Sequence, residues 1–292
     1  MTSHTVRTSN PDKELYPGIT KGEVLDYYGD IAETMLPHLR DRPLTLHRFP
    51  DGIGKSGFFQ QRAGEHFPDW LRTAAVPRSG GDGTVRHAVC DDEPSLRYLA
   101  NQAVLEFHTW LSTADRPQHP VLLVVDLDPP DGVDLADLRS TARRTAELFH
   151  QVGLVPFAQT TGGRGFHIVA PLDGRSDYEL VRPLARELAE RLAEAEPDKL
   201  TIEQRKDQRG ERIFLDVNRN AYGQTAIAPY SLRSRPGAPV ATPIDLDEVG
   251  RVTPDKYTLH NVRRRLANKP DPWADLARHA VSAADVRARS AG

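Results

Sequence analysis

The chain has 292 residues, 38% hydrophobic and 27% charged, with a formal net charge of −3. That balance fits a soluble globular protein of one large domain or two packed lobes, with no global basic footprint. No apolar run approaches the roughly 18 residues of a membrane helix, Met1-Thr2-Ser3-His4 opens no apolar signal region, and the single cysteine, Cys90, excludes a disulfide framework and a cysteine-based zinc ribbon.

A reducing, cytosolic setting is expected. Residues 1–12 read as a loose arm. Thr20-Lys21-Gly22-Glu23 has the form of a capping box, and Val24, Leu25, Tyr28, Ile31, Ala32, Met35 and Leu36 follow at helical spacing. Leu44 to Phe49 reads as a strand, Pro50-Asp51-Gly52 as a turn and residues 63–83 as mostly loop, before a strand over Thr84 to Cys90. Pro94 suits a first helical turn. Leu96, Leu99, Ala100, Ala103, Val104 and Phe107 are read as that helix's apolar stripe, with His108 at its end.

Val121 to Val125 is a run of five apolar residues, as in a strand buried on both faces, and Pro129-Pro130 stops it. Asp126 and Asp128 close this strand and share one face. Two carboxylates so close repel, and a divalent cation with a taste for hard oxygen relieves them. A strand end followed by a polar turn explains a bare D-x-D equally well. A helix capped by Asp134 follows. Residues 154–160 and 165–170 read as a hairpin through Thr161-Gly162-Gly163-Arg164-Gly165, and Leu180 to Leu192 as a long helix.

Arg212 to Asn218 alternates as a strand, with Asp216 facing away from Ile213, Leu215 and Val217. Carboxylates from two strands can hold two divalent ions for displacement at phosphorus; a turn cap or an arginine partner is the plainer role. The glycine loop with Thr161, Arg164 and His167 can form an anion nest, or be only a hairpin; it is not a Walker A loop. Thr225 to Ala228 reads as a short strand, residues 236–245 have little periodicity, and residues 277–292 form a frayed helix or none.

Charge is uneven. Eight Lys/Arg stand against four Asp/Glu from Lys199 to Pro239, and six against one from Arg251 to Lys269. Such stretches track phosphates or form solvated faces. Arg233 and Arg235 can fork onto phosphate oxygens, and Phe58 or Phe59 can stack on a base or lie in the core.

The pieces together resemble the polymerase domain of bacterial DNA ligase D, in the archaeo-eukaryotic primase superfamily. The resemblance runs from about residue 9 to 275. It rests on Asn10 to Lys13 with Leu15-Tyr16-Pro17, Thr20-Lys21, Tyr27-Tyr28, Arg42-Pro43, Pro50 to Gly52 and Phe58-Phe59. Asn101 to Ala103 with Glu106 and His108, Asp126 to Pro129, Thr161 to His167, Phe214 to Asp216, and Ala228 to Ser231 with Arg233, Arg235 and Pro236 continue it.

The resemblance implies an α/β (α+β) fold with a two-lobed primase-like core and mixed, partly antiparallel sheets. It implies a catalytic domain over 9–275, with 9–90 contacting the DNA end and template, 91–275 as core and 276–292 as a tail. The activity implied is template-directed nucleotidyl transfer that fills gaps at DNA breaks during non-homologous end joining, often preferring NTP over dNTP. Asp126, Asp128 and Asp216 would be catalytic ligands of two manganese or magnesium ions, with no zinc. Thr161, Arg164 and His167 would hold the triphosphate, Arg48 and His108 would lie near the nucleotide, and Arg233 and Arg235 would contact phosphates. Lys13 and Lys21 would bind a 5′-phosphate on gapped or overhanging duplex, and Phe58 and Phe59 would stack on the template.

Ku and an ATP-dependent DNA ligase are the implied partners, with no membrane, in a bacterial cytoplasm near the nucleoid. Thr161 and Arg164 replace the usual serine and lysine, Gln61 replaces a lysine, and His47 stands where a lysine can occur. A nuclease using the same carboxylates, or a catalytically idle DNA-end scaffold, are the rival readings.

Overall fold

The structure is a computed structural model that describes residues 4–290; the first three residues of the expected arm and the last two of the tail lie outside the described residues. The chain forms two compact units. The first comprises 1–117, 225–242 and 257–271, and the second 118–224, 243–256 and 272–292.

In chain order the first unit begins with β1 (Glu14–Tyr16), β2 (Ile19–Thr20), α1 (Lys21–Asp30) and α2 (Ala32–Leu39). It continues through β3 (Leu44–Arg48), β4 (Phe58–Gln60), β5 (Thr73–Pro77), β6 (Thr84–Ala88), α3 (Glu93–Asn101) and β7 (Val104–Trp110). The second unit has β8 (Leu122–Asp128), α4 (Leu135–Gln151), β9 (Phe157–Thr160), β10 (Phe166–Pro171), α5 (Tyr178–Ala195), β11 (Leu200–Thr201), α6 (Lys206–Arg209) and β12 (Ile213–Asp216). The chain returns to the first sheet with β13 (Thr225–Ile227), to the second with β14 (Thr242–Ile244), and ends in α7 (Val262–Asn268) and α8 (Ala283–Ser290).

The sheet of the first unit runs β13-β7-β3-β6-β5, with β4 also paired to β3. Thr20 caps α1 with the reciprocal Glu23 bond of a capping box. The long amphipathic helix expected over 24–36 is broken at Ile31, whose amide still bonds back to Tyr27 while its own carbonyl starts α2. The arm is not loose: Ser9 donates to Asn101 Oδ1, and His4 stacks on Trp70 with ring centres 4.8 Å apart.

α3 is shorter than expected. It stops at Asn101, Ala103 takes a left-handed φ of 57°, and residues 104–110 form β7. His108 therefore lies inside a strand. Its aromatic and β-branched neighbours Val104, Phe107, Thr109 and Trp110 favour that state over a helix. β5 likewise occupies a stretch read as loop, and β4 one given no element, because cross-strand partners on β6 and β3 supply what weak local periodicity does not.

The sheet of the second unit runs β11-β12-β8-β10-β9-β14. α4 and α5 pack on one face of it, where Leu123, Val125 and Leu127 are fully buried. Period-two alternation then sends Asp126 and Asp128 to the opposite face. Asp134 and Asp177 cap the two helices. α8 packs against α5, with Arg287 3.0 Å from Glu187, so the C-terminal helix is ordered through Ser290. Among the described residues no helix is long and apolar enough to cross a membrane.

Candidate active site

The second unit aligns its chemistry by strand register. Asp216 on β12 lies directly opposite Asp126 on β8, and His167 on β10 lies opposite Asp126 from the other side. Phe214 lies opposite Asp128. Directly opposed residues share a face. Asp216, Asp126 and His167 thus form a row across three adjacent strands, with Asp128 two residues further along the central one.

Arginines balance this cluster. Arg219 lies 3.6 Å from Asp216 and 3.9 Å from Asp126. Arg164 and Arg209 lie 3.6 and 3.5 Å from Asp128. His167 Nε2 is 3.5 Å from Asp126 Oδ1. The Asp128 carboxyl is nevertheless raised above its ordinary range, by burial and by the charge of Asp126. Arg209 is itself fixed by stacking on Phe214, 3.6 Å from the ring centre. Neither Arg209 nor Arg219 was singled out in the sequence; both sit in the basic stretch from Lys199 to Pro239.

The glycine loop is built for close packing. A Cβ on Gly165 would stand 1.9 Å from the carbonyl oxygen of Leu127, so only glycine lets the loop lie against the D-x-D strand. The Gly162 amide donates to Pro254, and those of Gly163 and Gly165 donate to Thr161 Oγ1. The Thr161 hydroxyl donates to Gly165 O. These amides hold the loop in shape, where the sequence suggested an anion nest. Arg164, half exposed and also paired with Asp131, is the loop's open cation.

The first unit carries a second cluster. His47 on β3 lies opposite Glu106 on β7, and His108 is two residues beyond Glu106, so all three share a face. Glu106 Oε2 is 3.3 Å from His47 Nδ1 and 3.0 Å from His108 Nε2. Its Oε1 accepts from the Ser234 amide and hydroxyl, each at 2.7 Å, and from Arg233 Nε at 3.3 Å. Burial alone would raise the Glu106 pKa. The two histidine bonds and the Arg233 charge outweigh it and hold the carboxyl well below the usual range. Burial lowers the His108 pKa against the pull of Glu106.

Phe58 and Phe59 point to opposite faces of β4. Phe59 lies opposite His47 and stacks on it at 3.9 Å, whereas Phe58 lies opposite Arg48, whose guanidinium is 5.4 Å from its ring centre. Both rings are exposed. Arg48 is tied to Gln60 Oε1 at 2.8 Å and to Gln102 O at 2.9 Å. Arg233 is anchored on Glu106, while Arg235 is exposed. Lys13 and Lys21 are neighbours, the Lys21 amide bonding Lys13 O at 2.7 Å. Lys21 Nζ reaches Ser9 Oγ, and Lys13 Nζ pairs with Asp51, both at 2.9 Å. Burial and the charge of Lys13 lower the Lys21 pKa.

A family model described as the LigD primase-polymerase domain matches residues 20–273. The multifunctional non-homologous end joining DNA repair protein LigD of Mycobacterium tuberculosis is 36% identical over 276 residues, which cover 91% of this chain and 36% of that one. LigD of Pseudomonas aeruginosa is 30% identical, covering 96% and 34%, and the bifunctional LigD of Bacillus subtilis 30%, covering 89% and 42%. The chain thus spans well under half the length of these relatives. The polymerase domain of Mycobacterium tuberculosis ligase D, solved in complex with DNA, superimposes with a TM-score of 0.88 at 34% identity, covering 95% of this chain and all of that one.

Proposed function

The chain belongs to the LigD primase-polymerase domain family, and from that premise we propose that it is a DNA-directed nucleotidyltransferase that adds nucleotides, ribonucleotides by preference, to primer 3′ ends at DNA breaks. The observation that carries this reading is the row Asp216–Asp126–His167 with Asp128 on the same face. The proposed module spans residues 9–275, with 276–292 as its tail.

The three carboxylates fit divalent ions. They offer hard oxygens from one face, and burial together with the charge of Asp126 raises the Asp128 carboxyl, a cost that a bound cation would relieve. Asp126, Asp128 and Asp216 would hold two magnesium or manganese ions. Such ions, when bound, supply charge stabilisation to the attacking and leaving oxygens.

The reaction is attack of the primer 3′-hydroxyl on the α-phosphorus of an NTP or dNTP, with pyrophosphate leaving. Arg164 binds the triphosphate as a cation. His167, fixed beside Asp126, donates to it, and Thr161 keeps the loop in register or exchanges one of its internal bonds for a phosphate contact. In the first unit, His108, Arg48, Arg233 and Arg235 are assigned to the nucleotide and its phosphates. Lys13 and Lys21 are assigned to the 5′-phosphate of the DNA end, and Phe58 and Phe59 to template bases. Positioning and fixed charge supply the catalysis, and no protein nucleophile is needed. The relatives' names place them in end joining, so a Ku protein and an ATP-dependent ligase are the proposed partners, in a bacterial cytoplasm at the nucleoid.

The test is extension of a gapped duplex bearing a 5′-phosphate, comparing NTP with dNTP, manganese with magnesium, and wild type with Asp128→Ala. The expected result is template-directed addition in the wild type, with none in the variant and end binding retained in both. End binding without addition under every condition would replace this reading with a scaffold. Strand loss without any nucleotide would replace it with a nuclease.

A further inference from the structure

We propose that His47, Glu106 and His108 form a metal site of their own, for one borderline divalent transition ion of the zinc class, distinct from the carboxylate row of the second unit. The three ligand atoms all lie within 4.8 Å of one another. An ion about 2.0 Å from nitrogen and oxygen ligands at tetrahedral angles holds them about 3.3 Å apart. The two distances to Glu106 Oε2, 3.3 and 3.0 Å, match that spacing, and the widest separation in the set, up to 4.8 Å, has to close to about 4 Å or less for one ion to hold all three.

The arrangement has the other marks of a built site. Each ligand stands on a paired strand, so the register of β3 and β7 sets their spacing. The second oxygen of Glu106 is held by the Ser234 amide, the Ser234 hydroxyl and Arg233, an outer shell that fixes the carboxylate plane. Glu106 is buried. Two imidazoles and one carboxylate are the donor set of open zinc sites with a free fourth position. Imidazole favours zinc, cobalt or nickel over magnesium, whereas the all-oxygen row of Asp126, Asp128 and Asp216 favours magnesium or manganese. The resemblance implies no zinc and the single cysteine excludes only a cysteine-based ribbon; this set needs no cysteine.

The site also has an outlet. Phe59 stacks on His47 with ring planes 12° apart and meets His108 edge-on, with ring centres 5.7 Å apart. An ion holding both imidazoles would lock the platform on which this exposed ring rests. The ion would thereby stiffen the surface assigned above to template stacking.

The test is titration of metal-free protein with cobalt(II) in excess magnesium, read by visible absorption. One cobalt per chain with the intense ligand-field bands of four- or five-coordination is expected. The bands should be absent in His47→Gln and unchanged in Asp126→Asn. Near-UV circular dichroism checks the fold of each variant, and His108→Gln replaces His47→Gln if the latter does not fold. Absence of bands in the wild type overturns the proposal. So does their survival in a folded histidine variant, or their loss in Asp126→Asn. The readout is metal binding and not nucleotide addition, so absence of cobalt bands leaves the polymerase reading in place, whereas one-to-one binding reassigns His108 from the nucleotide to the metal.

Discussion

Gly165 is the residue at which fold and chemistry meet most tightly. The loop carrying Arg164 approaches β8 until the Gly165 α-carbon faces the Leu127 carbonyl, and a methyl group there would stand 1.9 Å from that oxygen. The obstacle is backbone, so no side chain can swing away. Gly165→Ala should therefore destabilise the protein by about 1–3 kcal/mol or more and displace Arg164 from its place 3.6 Å from Asp128. Thermal unfolding reads the first effect, and the KM for nucleotide triphosphate the second. An alanine variant with wild-type melting and wild-type KM would show that the approach is not required. The sequence gives the glycine but not its reason. Phosphate nests and close packing both select glycine, and only the bonds of the Gly162, Gly163 and Gly165 amides separate them here.

Strands were legible where an apolar run or clear alternation marked them, and β7 was lost because its residues also fit a helical pattern. Asp126-Leu127-Asp128 was read as two carboxylates on one strand face, and the register with Asp216 and His167 follows that reading. Glu106-Phe107-His108 has the same spacing, yet its meaning was hidden. Leu96, Leu99, Ala100, Ala103, Val104 and Phe107 also satisfy a helical stripe, and nothing local announces the left-handed turn at Ala103. His47 lacked a partner for the same reason, since cross-strand pairing with β7 is a long-range fact. His87 on β6 is a related case. Its Nδ1 donates to Leu44 O at 3.1 Å, and it meets Trp110 edge-on at 5.3 Å. Burial lowers its pKa below 6.5, only partly offset by the Leu44 bond. The unfolded chain then binds a proton that the folded chain refuses. Stability contributed by neutral His87 is complete above pH 6.5 and is lost as pH falls from there toward the lower folded value. The melting temperature should fall between about pH 7 and about pH 5, and His87→Phe should flatten that slope. Identical slopes would mean that His87 does not titrate across the unfolding transition.

Across the whole molecule, a net charge of −3 gives no general attraction to DNA. Affinity must come from local sites, and each unit holds one where a charge is disfavoured. In the second unit, burial and the neighbouring Asp126 charge push Asp128 toward its neutral form. In the first, Lys21 is buried beside Lys13 and its ammonium is disfavoured. A 5′-phosphate brought to Lys13 and Lys21 would relieve that cost, and a ligand that binds only the folded state raises stability by mass action. Opposite effects follow for one substitution. Lys21→Met should raise the melting temperature of the free protein at neutral pH, because folding no longer buries a charge. The same variant should lose most of the further rise that a 5′-phosphorylated DNA end gives the wild type. Each phosphate contact adds about 0.9 to the slope of log affinity against log salt for duplex DNA. The double variant Lys13→Met, Lys21→Met should then bind ends with a slope shallower by roughly 1–2. Removing the 5′-phosphate from the DNA should have the same effect on the wild type and none on the double variant. Equal loss of affinity for phosphorylated and unphosphorylated ends would instead assign the lysines to the backbone at large, and the preference for 5′-phosphorylated ends would have to come from other residues.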